Sequence, residues 1–139
     1  MRFLRRANEL DVPLQLPMNF GVIASVLLAL AVTLGAFGAH SLKGRFDAYS
    51  MGIWEKAVLY HLIHALGLLI VALLERTGTL SQSATGTVCW LLLAGILLFS
   101  GSLYALAVSG VSMFGAVTPV GGLAFIAAWV LLAVRLARS

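Results

Sequence analysis

Residues 77–134 contain no Asp, Glu, Lys or Arg, a run of 58 uncharged positions. A helix in a water-soluble domain needs a polar face toward solvent, so a soluble fold cannot carry this run. A bilayer demands it, because a charge at the membrane centre costs at least about 2.5 kcal/mol. About 20 apolar residues cross the hydrocarbon core, so the run is long enough to cross twice. The whole chain agrees, with 61% hydrophobic and 10% charged residues against about 25% charged in soluble domains. The fold class expected is all-α, an integral membrane four-helix bundle with no room for a soluble module.

Residues 1–18 differ in kind. Arg2, Arg5 and Arg6 precede Glu9, Asp11, Pro13 and Pro17, which makes a polar N-terminal arm with two helix breakers. The apolar stretch after it is too long for a signal peptide and lacks a clean small-residue cleavage site. The arm is therefore expected to be retained. The membrane domain spans 19–138, with crossings at about 19–39, 56–74, 84–108 and 114–134. Lys43, Arg45, Asp47 and Glu55 mark the first loop, residues 40–55, with room for a short interfacial helix; a Thr/Ser/Gly-rich stretch marks the second, and Ser109, Gly110 and Ser112 a tight third turn. Segments apolar on every side do not show the alternation of membrane strands.

The basic residues set orientation. Arg2, Arg5, Arg6, Arg76, Arg135 and Arg138 fall on one side, and Lys43, Arg45 and Lys56 on the other. The first side should be cytoplasmic, in an inner (plasma) membrane, with both termini there. Translation from Met18 would level the count at three against three. The net charge of +4 is spent on this topology and on lipid head groups. No basic stripe is interleaved with aromatics, so nucleic acid is not an expected partner. The single cysteine, Cys89, excludes an intrachain disulfide and any multi-cysteine metal site.

Ionisable groups within spans are functional candidates by default. His61 and His64 are three apart on span two and Tyr60 and His64 four apart, so each pair lies near one helix face. His40 ends span one. Counting from Lys56, His61 lies roughly 7 Å deep and His64 about 12 Å, which lets His40 approach His61. Ser100, Ser102, Tyr104 and Thr118 reach the same outer half. The inner half holds little beyond Ser25 and Cys89. The layer has two readings: a ligand-binding site made of His40, Tyr60, His64, Ser100, Ser102, Tyr104 and Thr118, or interhelical hydrogen bonding within a packed bundle. A metal or haem would look to His40, His61 and His64, with no carboxylate or thiolate to complete the set.

Small residues supply structure. Gly35 and Gly38 make a smooth face on span one, as Gly101 does with its serine neighbours on span three. Pro119, Gly121 and Gly122 mark either a plain kink or a helix that restarts near Gly121 with its N–H groups facing the polar layer. No Walker loop, nucleophile elbow or zinc-protease helix occurs. Glu55 and Glu75 only bracket span two, so a proton-coupled exporter lacks its intramembrane acid.

Four blocks now stand in order: Leu34-Gly35-Ala36-Phe37-Gly38-Ala39-His40-Ser41-Leu42, then Tyr60 with His64-Ala65-Leu66, Leu98-Phe99-Ser100-Gly101-Ser102-Leu103-Tyr104, and Thr118-Pro119-Val120-Gly121-Gly122. The chain resembles the domain of unknown function 423 family of small four-span membrane proteins over about residues 20–135. The resemblance implies a four-span inner-membrane protein with no established activity. It matches His40, Tyr60, His64, Ser100, Ser102, Tyr104, Thr118 and Pro119 to motif positions; at His61 glutamine is the commoner family residue.

No catalytic constellation stands out and no cofactor is specified. The leading expectation is a non-enzymatic membrane protein, binding a small ligand or serving as an accessory subunit, whose partners are the bilayer and a membrane protein or its own copies. The alternatives are a haem, metal or quinone redox protein and a small oligomeric transporter.

Overall fold

The computed structural model describes residues 19–138, so expectations for the arm lie outside the described residues. Among the described residues four helices are long and apolar enough to cross a membrane: α1 (Phe20–Leu42), α2 (Ala48–Arg76), α3 (Gln82–Ser109) and α4 (Met113–Leu136). No strand occurs among the described residues. Helices are what lipid requires, because they satisfy every backbone polar group internally.

The ends are set by local chemistry. Asn19, Asp47 and Ser81 cap α1, α2 and α3, each side chain accepting a backbone N–H of the first turn. Gly78 and Gly110 follow α2 and α3 with φ of 76° and 70°, a conformation that costs glycine nothing. The short turns between α2, α3 and α4 follow from these signals.

Two features depart from the sequence reading. First, α2 begins at Ala48, so the second half of the expected first loop is helix and is continuous with span two rather than a separate interfacial helix. At 29 residues α2 is about 44 Å long, longer than the roughly 30 Å hydrocarbon core. Glu55 and Lys56 sit on its exposed side rather than ending it. Second, α1 and α3 each carry one wide π turn, at Gly38–Leu42 and Ile96–Ser100. Such turns rotate the residues that follow relative to a plain helix. In α4 the helix runs through Pro119 without a break, so no half-helix starts at Gly121.

Helix α2 packs along α1 and along α3, and α4 packs along α3. The glycines explain how close these approaches are. A Cβ on Gly121 would collide with the backbone of Phe99, and one on Gly95 with the ring of Phe125. At Gly38 it would come within 2.5 Å of the Trp54 ring, and at Gly35 within 3.3 Å of Val58. Gly101 faces open space, and Gly122 meets Phe99 only at ordinary contact distance. Of the glycines singled out in the sequence, Gly35, Gly38 and Gly121 thus hold helices together.

Two buried clusters result. Leu68, Val71, Val88, Cys89 and Leu92 form the middle of the larger one, with Phe125 and Leu132 from α4. Leu42, Trp54 and Ala107 form the smaller one, at the opposite end of the bundle from Arg76.

Candidate functional site

Between these clusters the polar side chains of α2, α3 and α4 meet. On α2 the inward face reads Trp54, Ala57, His61, His64, Ala65, Leu68 and Val71, all buried, at the three- and four-residue spacing of one helical side. His61 therefore faces α3, where its Nδ1 lies 3.4 Å from the hydroxyl of Tyr104. Tyr104 in turn meets the Trp54 ring edge-on, with centroids 4.8 Å apart. Trp54 sits in the notch at Gly38 and donates its indole N–H to Leu34 O on α1 at 3.0 Å. One chain of contacts thus links α1, α2 and α3.

His64 is used differently. Its Nδ1 lies 2.7 Å from the carbonyl of Tyr60 one turn earlier, so it donates there as the Nδ1–H tautomer. Its ring stacks on Phe125 with centroids 3.4 Å apart. Tyr60 stacks on Phe99 at 4.3 Å. On the α3–α4 side, Ser102 and Thr118 hydroxyls are 2.8 Å apart, and Ser102 also donates to Phe99 O at 3.0 Å. These bonds satisfy polar groups that lipid cannot.

Among the described residues three buried side-chain atoms have no hydrogen-bond partner: Thr85 Oγ1, on the first half of α3, and two in the polar layer. His61 is 4% exposed and Ser100 1%, and neither His61 Nε2 nor Ser100 Oγ has a hydrogen-bond partner. Ser100 closes the π turn of α3 one turn before Tyr104, which places it on the side facing α2. An unpaired buried polar atom costs about 1–3 kcal/mol.

The structure brings together Tyr60 with His64, His61 with Tyr104, and Ser102 with Thr118. It does not bring in His40, which is exposed in the π turn ending α1. The reason is angular: Gly38 points at Trp54, and a residue two positions on lies about half a turn round the helix. Depth along the membrane allowed a meeting that the azimuth prevents. Among the described residues no three His, Cys, Asp or Glu side chains converge as a metal site. His40, His61 and His64 therefore do not assemble, and the two buried rings pack against Tyr104 and Phe125.

Sequence reasoning missed Trp54, Phe99 and Phe125. Trp54 lies seven residues before His61, two helical turns along the same face, and that spacing was the available signal. Phe99 and Phe125 carried none, because their role depends on the glycines opposite them.

Residues 34–122, which hold all of these contacts except those of Phe125, match the family described as Protein of unknown function (DUF423). The chain is 47% identical to the UPF0382 membrane protein YwdK of Bacillus subtilis over 117 residues, covering 83% of this chain and 93% of that relative. It is 42% identical to the UPF0382 membrane protein SH2409 of Staphylococcus haemolyticus, over 81% of this chain and 90% of that one. A Staphylococcus aureus relative, SAB0533, is 39% identical over the same shares. No solved structure matches. On this sequence match and its four apolar helices, the chain belongs to the DUF423 family of multi-pass membrane proteins.

Proposed function

We propose that the protein is a non-enzymatic accessory subunit of the inner membrane, acting by lateral association with another membrane protein or with its own copies. One observation carries this reading. Only 11% of the most apolar window of α1 is buried, against 44% for α2, and α1 packs mainly along α2, meeting α3 at Phe20 and Trp90. Its outward side offers Leu30, Val32 and Phe37 together with the small Ala36, and small residues let a second helix approach closely. The Arg76, Arg135 and Arg138 end is the cytoplasmic one on this reading, by the excess of basic residues that Arg2, Arg5 and Arg6 give it. The test is purification of the full chain in mild detergent. A co-purifying partner or dimer that Ala36→Trp disperses without loss of thermal stability is expected; a lone monomer overturns the reading.

A second reading is favoured by the two unpartnered atoms of the polar layer. On it, His61 Nε2 and Ser100 Oγ hold one small polar ligand inside the bundle. Replacing a buried polar group that has no partner by an apolar one is neutral or stabilising. If a ligand is held there, Ser100→Ala, which breaks no hydrogen bond within the bundle, instead lowers the thermal midpoint of the membrane-extracted protein, and a neutral or raised midpoint rejects this reading.

A further inference from the structure

A groove of about 500 Å³ runs between α1 and α2 on the outside of the bundle, a volume within the roughly 300–1,000 Å³ of small-molecule sites. Its position in the membrane follows from the two helices that line it. Helix α1 starts and α2 ends at this end of the bundle, so Asn19 and Arg76 stand together at its mouth. From there the walls are mainly apolar: Val26 and Ala29 on α1, Leu69 and Leu73 on α2, while the Ser25 hydroxyl donates back to Gly21 O. At 1.5 Å per residue the groove reaches about 10–15 Å from head-group level toward the membrane centre.

The charge pattern matches an amphiphile with an anionic head. Among the described residues the Arg76 guanidinium makes no side-chain hydrogen bond or ion pair, and the neighbouring carboxylate, Glu75, does not line the groove. A guanidinium has a fork of donors that suits a phosphate. The apolar walls below it have the depth of the upper part of an acyl chain. We propose that this groove binds one anionic phospholipid, its phosphate on Arg76 and one chain along Val26, Ala29, Leu69 and Leu73. This goes beyond the accessory-subunit reading and does not depend on it, because the groove lies between two helices of one chain.

The experiment is native mass spectrometry of the full chain exchanged into defined mixtures of phosphatidylglycerol and phosphatidylcholine. The wild type should retain one phosphatidylglycerol in preference to phosphatidylcholine. One basic residue near a membrane surface contributes about 1 kcal/mol toward anionic lipid, so Arg76→Gln should cut that preference about fivefold. Ala29→Phe, which fills the groove, should remove retention of both lipids while the thermal midpoint holds. Arg138→Gln lies outside the groove and should change nothing. A role for Arg76 only in topology or at the helix end would not distinguish the two lipids. An unchanged preference in Arg76→Gln therefore overturns the proposal. So does a wild type that retains no lipid and whose residues 1–18 become protease-sensitive in Ala29→Phe, which would assign the groove to the chain's own arm.

Discussion

At the Arg76 end the bundle is held by Leu68, Val71, Val88 and Leu92, aliphatic side chains with no exposed surface. Toward the His40 end it is held by Trp54, His61, Tyr104, Ser102 and Thr118, through rings in glycine notches and hydrogen bonds between helices. Lipid tails are as apolar as leucine, so the aliphatic half gains little by hiding from its surroundings. Its cohesion is dispersion, which depends on filled space. The other half adds directional bonds, which depend on the position of particular atoms. A void should therefore harm the first half most, and loss of one bond should harm the second by a smaller, separable amount.

The largest expected effect is a void in the aliphatic half. Leu92 is fully buried, and Leu92→Ala should cost about 2–5 kcal/mol, read from unfolding in mixed detergent. A cost below that of any single hydrogen-bond deletion in the other half would erase the distinction. Next comes Gly121→Ala. Its new methyl meets Phe99 backbone rather than a movable ring, so α3 and α4 must separate, at about 1–3 kcal/mol for overpacking. Gly101→Ala, one residue past the same π turn but facing open space, is the control and should be close to neutral.

The smaller bond effect belongs to Ser102 and Thr118. A double-mutant cycle with Ser102→Ala and Thr118→Val should give a coupling of about 0.6 kcal/mol, the average for interhelical bonds in membranes. A coupling of zero would mean that Ser102 is satisfied by Phe99 O alone and that the α3–α4 bond adds nothing.

The two halves were also unequally legible from sequence. Charge spacing marks where helices must leave the membrane, and that is enough for four spans and for the aliphatic core between them. It misleads where a charge sits on a helix that continues. Glu55 and Lys56 point outward from α2, so reading them as its boundary put Trp54 in a loop. The polar half depends on azimuth, which the π turns of α1 and α3 reset without any distinctive residue to announce them. The pairs Tyr60–His64 and Ser102–Thr118 were visible as members of one layer. The separation of His40 from it was not, since depth alone placed it beside His61. Phe99 and Phe125 were invisible for a related reason: a backbone or ring seated on a glycine of another helix is a relation between two helices, and neither residue signals it alone.

The smallest effect separates the two ends by pH. Asp47 caps α2 at the His40 end, accepting Ser50 N–H at 2.7 Å, and the bonds from Ser50 hold its carboxyl below the usual aspartate value. Ser81 caps α3 at the Arg76 end, accepting Ala84 N–H at 3.3 Å, and a hydroxyl does not titrate there. A carboxyl whose folded value is depressed binds its proton more readily in the unfolded chain. Its contribution is therefore complete above the unfolded value of about 3.9 and is lost as pH falls through the folded one. Acidification below about pH 4 should fray the first turn of α2, seen as faster amide exchange at residues 48–51, and leave residues 82–85 of α3 unchanged. In Asp47→Ser the cap persists without a titrating group, so the acid response of α2 should vanish. Equal fraying of both helices in acid would show that a general charge effect, rather than this one cap, governs the His40 end.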